Sequence, residues 1–242
     1  MTAERSTAPE KGSGASWGWY EAIGLVFVSH FVLIVSGSIA VSGRGPDAPP
    51  TPVATQFWAS TPFWATIVVG AWWVAGRGTS LVDLRASLGL SMRFVDVAIG
   101  ISVGVATQLL LLPALYWPIH RLSGTDRDDL ERLARDLVGT ADGVVGVMLL
   151  VLMTCVFAPV CEELLYRAVV LRGVGRDSWA LGVVVGAVVF GLAHMQGLQL
   201  PGLIVLGLIT GVLVWRTGRI GAAVLAHVAF NATTVVVLLA ER

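Results

Sequence analysis

Residues 155–172 read CVFAPVCEELLYRAVVLR, and this stretch decides the fold prediction. It places Glu162, Glu163 and Arg167 within an apolar run that begins near Val144. Ionisable side chains at membrane depth are energetically expensive and persist mostly where they pair or line a cavity, so they indicate function. Glu163 and Arg167 are spaced i,i+4 and can pair on one helix face. Glu162 points about 100° away, so we expect it to face another part of the protein.

The composition is that of a membrane protein. Of the 242 residues, 55% are hydrophobic and 13% are charged, whereas soluble domains carry about 25% charged residues. Because an apolar window of roughly 20 residues can cross a bilayer, we predict an all-α, polytopic transmembrane helix bundle of about seven spans plus short interfacial helices. The formal net charge is zero, which gives no electrostatic reason to expect a nucleic-acid partner.

The chain divides into a tail and two groups of spans. Residues 1–16 are polar and small, which predicts a disordered tail. Residues 17–142 hold the N-terminal spans and interfacial helices, and residues 143–242 form the C-terminal core. The predicted spans cover 17–41, 57–76, 94–119, 143–172, 179–195, 199–216 and 219–240. The amphipathic segments 77–93 and 120–142 are predicted to form short helices on opposite membrane surfaces.

The distribution of basic residues predicts the orientation. Lys and Arg are more frequent in the segments that an N-inside topology places in the cytoplasm. We therefore expect a multi-pass protein of the cell membrane with a cytoplasmic N-terminus.

Two further pairs of residues in the C-terminal half share helix faces. Phe190 and His194 are spaced i,i+4, and so are His227 and Asn231. Helix rise places Glu162, His194 and His227 within about two helical turns of one depth. We therefore predict a polar cavity, surrounded by spans four to seven and opening towards the cytoplasmic half, that contains these three residues and Asn231.

These side chains suit hydrolysis. A carboxylate such as Glu162 can act as general base on a trapped water. A histidine can orient that water or protonate the leaving amine, and the amide of Asn231 can donate to a developing oxyanion. The alternative is a metal site, because one glutamate and two histidines make a three-ligand zinc set with an open position.

Three motifs, taken together and in order, resemble those of the CPBP family of intramembrane proteases. They are E-E-x-x-x-R at Glu162, Glu163 and Arg167, then F-x-x-x-H at Phe190 and His194, then H-x-x-x-N at His227 and Asn231. The family is related to the CAAX prenyl endopeptidases and to bacteriocin-processing and self-immunity proteins. The motifs span about 70 residues. Its first motif often continues R-G, whereas Ala168 follows here.

The resemblance implies cleavage of a membrane-associated protein or peptide. It implies Glu162 as general base, His194 and His227 as water-positioning residues, and Asn231 as oxyanion donor. Glu163, Arg167 and Phe190 would be supporting residues.

The need for a metal is a separate question. Members of the family are widely labelled metalloproteases, although a glutamate-activated water is also proposed for the fold. The sequence lacks the zinc-protease motif H-E-x-x-H, so we favour no metal and keep zinc, held by Glu162, His194 and His227, as the alternative.

Two other functions fit some of these features. A proton-coupled transporter also buries acidic and basic side chains, but no inverted repeat relates residues 17–119 to 143–240. A non-catalytic immunity or binding scaffold would keep the fold, although every motif position is intact here. His30, in the first span, is interpreted as a neutral histidine bonded to a neighbouring helix, and Tyr166 as a packing residue.

Overall fold

The computed structural model describes residues 13, 15–45, 47–76, 80–124 and 127–242, without the side chains of Ser123 and Arg127. These residues form nine helices and no strand, which confirms the all-α prediction. The helices are α1 (Trp19–Val41), α2 (Val53–Ala75), α3 (Leu81–Ser87), α4 (Phe94–Ala106, Thr107–Leu111 and Leu112–Ser123 in continuity), α5 (Arg127–Gly139), α6 (Gly143–Val174), α7 (Trp179–Ala193), α8 (Leu200–Thr217) and α9 (Gly221–Ala240).

Seven of these helices occupy the positions of the predicted spans. Within the described residues five helices, α1, α4, α6, α8 and α9, are long and apolar enough to cross a membrane. The helix α7 is apolar but has only 15 residues, and α2 has 23. The protein is therefore an integral membrane protein, and its orientation stays a prediction.

The two segments predicted as interfacial helices contain α3 and α5. Both helices are shorter than the predicted segments 77–93 and 120–142. Residues 77–79 lie outside the described part of the chain, as do residues 1–12 and 14 of the predicted tail. Ser13, also in that tail range, donates its backbone N–H to the Gly175 carbonyl at 2.9 Å.

The helix that carries the acidic motif lies at the centre of the bundle. Helices α1, α2, α7, α8 and α9 all contact α6. Its residues Leu165, Val169 and Leu171 are at most 1% exposed, as expected for a helix that is apolar on nearly every side. Glu162 and Glu163 are therefore surrounded by other helices.

The helix α6 is not a regular α-helix. Two π-helical segments, Leu152–Phe157 and Leu164–Val170, flank the α-helical stretch Ala158–Glu163. The π-helix is rare in proteins and is frequently found at functional sites. Both glutamates of the first motif lie at the end of the stretch between the two π-helical segments.

In the first π-helical segment, where backbone hydrogen bonds join residues five apart, one carbonyl lacks a main-chain partner of this kind. The Ala158 N–H bonds the Met153 carbonyl, five residues earlier. The next bond in that series would run from residue 159 to the Thr154 carbonyl, but Pro159 has no N–H. A side chain from another helix can therefore bond to this oxygen.

Small residues allow helices to approach each other closely around the site. A Cβ on Gly104 of α4 would lie 2.2 Å from the carbonyl oxygen of Ala226 in α9. A Cβ on Gly207 of α8 would lie 2.8 Å from the Cα of Ala187 in α7. Such close contacts are typical of packing in membranes, where van der Waals contact replaces the hydrophobic effect. The first of them fixes the part of α9 that carries His227.

An ion pair fixes the start of α9. Arg219, in the turn before this helix, donates from Nη2 to Asp96 Oδ1 at 2.7 Å and from Nε to Asp96 Oδ2 at 3.1 Å. The carboxylate raises the pKa of the Arg219 guanidinium. A bidentate pair has a defined geometry, so it ties the α8–α9 turn to the first turn of α4.

Candidate active site

Glu162 faces both histidines of the C-terminal motifs. Its Oε2 atom lies 3.7 Å from His194 Nε2 and 3.8 Å from His227 Nε2. Both distances are longer than a hydrogen bond. The side chain of Glu162 is 15% exposed, compared with 24% for His194 and 4% for His227. One carboxylate oxygen, partly shielded from the surroundings, is therefore close to two imidazole nitrogens.

The other nitrogen of each ring defines its tautomer. His194 Nδ1 lies 2.7 Å from the Phe190 carbonyl, and His227 Nδ1 lies 3.0 Å from Glu163 Oε1. A carbonyl and a carboxylate only accept, so Nδ1 carries the hydrogen in each ring. In the neutral rings both Nε2 atoms are then acceptors. Glu162 Oε2 and the two Nε2 atoms are three acceptors that face one another.

Three acceptors cannot hydrogen-bond among themselves. A group that donates must therefore lie between them, and a water molecule or a cation fits this requirement. Within the part of the chain that the structure describes, no group of three or more His, Cys, Asp and Glu side chains has the arrangement of a metal site. The donor types are nevertheless those that zinc accepts, two imidazole nitrogens and a carboxylate.

A buried ion pair holds Glu163. Arg167 Nε lies 3.2 Å from Glu163 Oε2, and the two side chains are 1% and 0% exposed. The predicted pairing is confirmed. Arg167 Nη2 also donates to the hydroxyl of Thr210 in α8. The sequence gives no signal for this second partner, because Thr210 follows Arg167 by 43 residues.

Phe190 lies at the centre of the site. Its ring packs edge-on against His194, with 4.6 Å between ring centroids, and against His227, with 5.7 Å. The guanidinium of Arg167 lies 4.4 Å from its centroid, a distance typical of cation–π contacts. Phe190 is fully buried. It therefore fixes the spacing of both histidines as well as packing in the core.

Asn231 lies one helical turn beyond His227. Its Nδ2 atom donates to the Thr154 carbonyl at 2.7 Å, the oxygen that Pro159 leaves without a partner in the π-helical series. One amide hydrogen is used in this bond, and an Asn side chain has two. The structure thus brings Glu162, His194 and His227 together and places Asn231 on α9 beside the first π-helical segment.

The cavity next to the site differs from the one predicted. It has a volume of about 540 Å³ and includes Glu162 and His194 in its lining. Its other walls are mainly apolar side chains of α1, α2 and α7, including Phe27, Phe63 and Leu192. His227 and Asn231 are not among its lining residues. The prediction named spans four to seven, whereas α1 and α2 also line this cavity because they pack against the second π-helical segment of α6.

Two residues of this cavity were missed as site residues. His30 in α1 and Tyr166 in α6 both line it. Tyr166 Oη lies 3.2 Å from His30 Nε2. The position of Tyr166, four residues after Glu162, is the one signal in the sequence that could have placed it near the carboxylate.

A glutamate that faces two histidines within a bundle of membrane helices defines an intramembrane site suited to hydrolysis. Residues 144–233 match the model of a protein family described as type II CAAX prenyl endopeptidase Rce1-like. The match extends from the start of α6 into α9 and contains every motif residue. The match covers 90 of the 242 residues and confirms the resemblance to CPBP intramembrane proteases. The description names neither a metal nor a catalytic residue. No curated protein and no solved structure matched the chain.

Proposed function

We propose that the protein is an intramembrane endopeptidase that hydrolyses a peptide bond of a membrane-associated protein or peptide with a water activated by Glu162. The observation that carries this proposal is the meeting of three acceptors, Glu162 Oε2 and the Nε2 atoms of His194 and His227. A water molecule between them donates one hydrogen to Glu162 and the other to one of the two imidazoles, and it keeps a lone pair for attack on a carbonyl carbon. The adjacent cavity supplies an apolar path for the substrate.

The reaction needs one proton transfer in each direction. Glu162 takes a proton from the water as its oxygen bonds to the carbonyl carbon. The same proton passes to the amine nitrogen as the C–N bond breaks. General acid–base catalysis of this kind contributes about 10²–10⁴-fold. The second amide hydrogen of Asn231 donates to the oxyanion of the tetrahedral intermediate.

The buried residues behind His227 keep it in the required tautomer. Glu163 accepts its Nδ1–H, and Arg167 neutralises Glu163. Thr210 in turn accepts from Arg167. Hydrogen bonds to the far nitrogen of a histidine set which nitrogen faces the reacting group. This chain therefore aims the Nε2 lone pair at the water, although it makes no contact with the substrate.

The proposed reaction needs no metal. Two features support this version: the sequence lacks H-E-x-x-H, and Asn231 supplies the oxyanion donor that a metal would otherwise replace. The set Glu162, His194 and His227 would hold a zinc ion if one binds, and the ion would act there as a Lewis acid. A test of the function must therefore include a test of metal dependence.

The proposal is tested by comparing cells that express the wild-type protein, Glu162→Gln or Glu21→Gln. Glu21 caps the first turn of α1, so its substitution is the same chemical change away from the site. Of the three proteins, we expect only Glu162→Gln to cause uncleaved membrane-associated proteins to accumulate. Purified wild-type protein should also cleave a farnesylated peptide in detergent micelles, a probe chosen from the family description. Equal proteomes, together with equal cleavage by Glu162→Gln and wild type, would refute the proposal.

A further inference from the structure

The cavity beside Glu162 has a polar pair that the proposed reaction does not use. His30 Nδ1 lies 2.8 Å from the Val26 carbonyl, so this nitrogen carries the hydrogen. In the neutral ring His30 Nε2 then accepts, and Tyr166 donates its hydroxyl hydrogen to it across 3.2 Å. Both side chains line the cavity that Glu162 and His194 also line.

The hydrogen bond to His30 determines what else the Tyr166 hydroxyl can bind. A hydroxyl has one hydrogen and two lone pairs. Because His30 takes the hydrogen, the oxygen can only accept from a further partner. That partner must carry an N–H or O–H group. Most other side chains around the cavity are apolar, so Tyr166, although only 1% exposed, is one of the few lining residues with a polar side-chain atom.

A peptide that is cleaved inside a membrane presents such donors. The segment at the scissile bond must be extended to reach the catalytic groups, and its backbone N–H groups then lack helical partners. An unsatisfied polar group in an apolar environment costs several kcal/mol. An acceptor on the cavity wall lowers this cost for one N–H. The tyrosine–histidine pair therefore suits an extended peptide better than it suits a lipid chain.

We propose that Tyr166, oriented by His30, is a substrate-binding residue that accepts a backbone N–H of the extended peptide close to the scissile bond. This proposal rests on the proposed peptidase function. Tyr166 lies four residues after Glu162, which corresponds to about 6 Å along the helix. An extended chain advances about 3.3 Å per residue. The N–H in question therefore belongs to a residue about two positions from the scissile bond.

The surrounding contacts support a fixed position for the hydroxyl. The ring of Tyr166 packs edge-on against Phe190 at 5.2 Å, and the ring of His30 packs edge-on against Phe63 at 5.2 Å. Phe190 also contacts both site histidines. His30 is thus a positioning residue from α1, outside the segment that matches the family, and it links the N-terminal half of the chain to substrate binding.

The test measures kcat and KM for the farnesylated peptide probe with Tyr166→Phe, His30→Leu and His30→Gln. Loss of one hydrogen bond made equally in the bound and transition states raises KM and leaves kcat unchanged. We expect Tyr166→Phe and His30→Leu to raise KM about tenfold. Glutamine keeps a side-chain acceptor for the Tyr166 hydroxyl, so His30→Gln should recover most of the wild-type KM. Failure of that recovery would overturn the assigned role of His30.

Tyr116→Phe is the matched control. Tyr116 also bonds between helices, to the Leu198 carbonyl at 3.0 Å and from the Gly202 N–H at 3.0 Å, but it does not line this cavity. We expect it to leave KM at the wild-type value. An equal rise of KM in Tyr116→Phe and Tyr166→Phe would show a general packing effect and overturn the inference.

A second measurement tests the proposed hydrogen bond from the peptide N–H to the Tyr166 oxygen. The probe is prepared with an ester in place of each amide within three residues of the scissile bond, which removes one N–H at a time. We expect the ester about two residues away to lower kcat/KM of the wild type about tenfold and to have no further effect on Tyr166→Phe. Additive effects at every position would overturn the inference while cleavage by the wild type still supports the peptidase. No cleavage and no binding of the probe would count against both.

Discussion

Replacing Arg167 with methionine should destabilise the protein strongly through the charge that is left behind. Glu163 is 0% exposed and its charge is balanced by Arg167, which is 1% exposed. Without the guanidinium, the carboxylate keeps, among the described residues, the Nδ1–H of His227 as its partner. Breaking a buried ion pair by removing one member costs about 3–5 kcal/mol. Arg167→Met should therefore lower the free energy of unfolding by about that amount.

The assay is a double-mutant cycle that compares the free energy of unfolding of four proteins: wild type, Arg167→Met, Glu163→Gln and the double variant. Glutamine at position 163 keeps an acceptor for His227 and removes the charge. Replacing a buried pair by uncharged groups is often close to neutral, so the double variant should be more stable than Arg167→Met alone. Unfolding is followed in detergent by intrinsic tryptophan fluorescence, since the chain has nine tryptophans.

The control is Arg135→Met, the same substitution in a partly exposed ion-pair cluster. Arg135 pairs with Glu131 at 2.6 Å and with Glu241 at 2.8 Å, and its side chain is 35% exposed. Exposed pairs contribute little to stability because water and salt screen them. We expect a much smaller loss than for Arg167→Met. A double variant as unstable as Arg167→Met, or an Arg167→Met protein with wild-type stability, would refute the reasoning.

Three further predictions concern the reaction and the segment before α1. Extensive dialysis against a strong chelator should leave peptide cleavage intact, whereas loss of activity that zinc restores, with about one zinc per chain, would refute the metal-free version. Asn231→Ala should lower kcat about 10²–10³-fold in a stopped assay, with retained thermal stability checked in parallel because its amide also bonds Thr154. Trp17→Phe removes the bond from the indole Nε1 to the Val169 carbonyl at 3.0 Å and should lower stability by about 1 kcal/mol; an unchanged melting temperature would contradict this.

Local features of the sequence predicted the helices and the ion pair well. Apolar windows located seven helices of the described residues, and five of these are long and apolar enough to cross a membrane. Most helix ends fell within a few residues of the prediction: the span predicted at 143–172 is the helix Gly143–Val174. The pairing of Glu163 with Arg167 followed from i,i+4 spacing. These features depend on residues that are close together in the sequence, so the sequence was sufficient to predict them.

Contacts between distant helices could not be predicted in the same way. Apolar helices pack through small residues such as Gly104 and Gly207, and glycine is too frequent, at 28 residues, to single these out. The bond from Arg167 to Thr210 and the pair of His30 with Tyr166 join residues 43 and 136 positions apart. Helix rise placed Glu162 and His194 only within about two helical turns of one depth, whereas the structure places Glu162 Oε2 3.7 Å from His194 Nε2.

The π-helical segments of α6 replace the loops that carry functional residues in soluble enzymes. A loop exposed to lipid would leave backbone groups unsatisfied, so irregular backbone is tolerated in a membrane only where protein surrounds it. In α6 the irregularity is limited to one helix, and its free carbonyl at Thr154 is bonded by Asn231 from α9. That bond uses one hydrogen of the amide and thereby fixes the direction of the other. The π-helical irregularity in the helix that carries Glu162 thus orients the donor that we propose for the oxyanion. Glu162 and Asn231 can therefore be held in a fixed relative position while both remain on helices of the bundle.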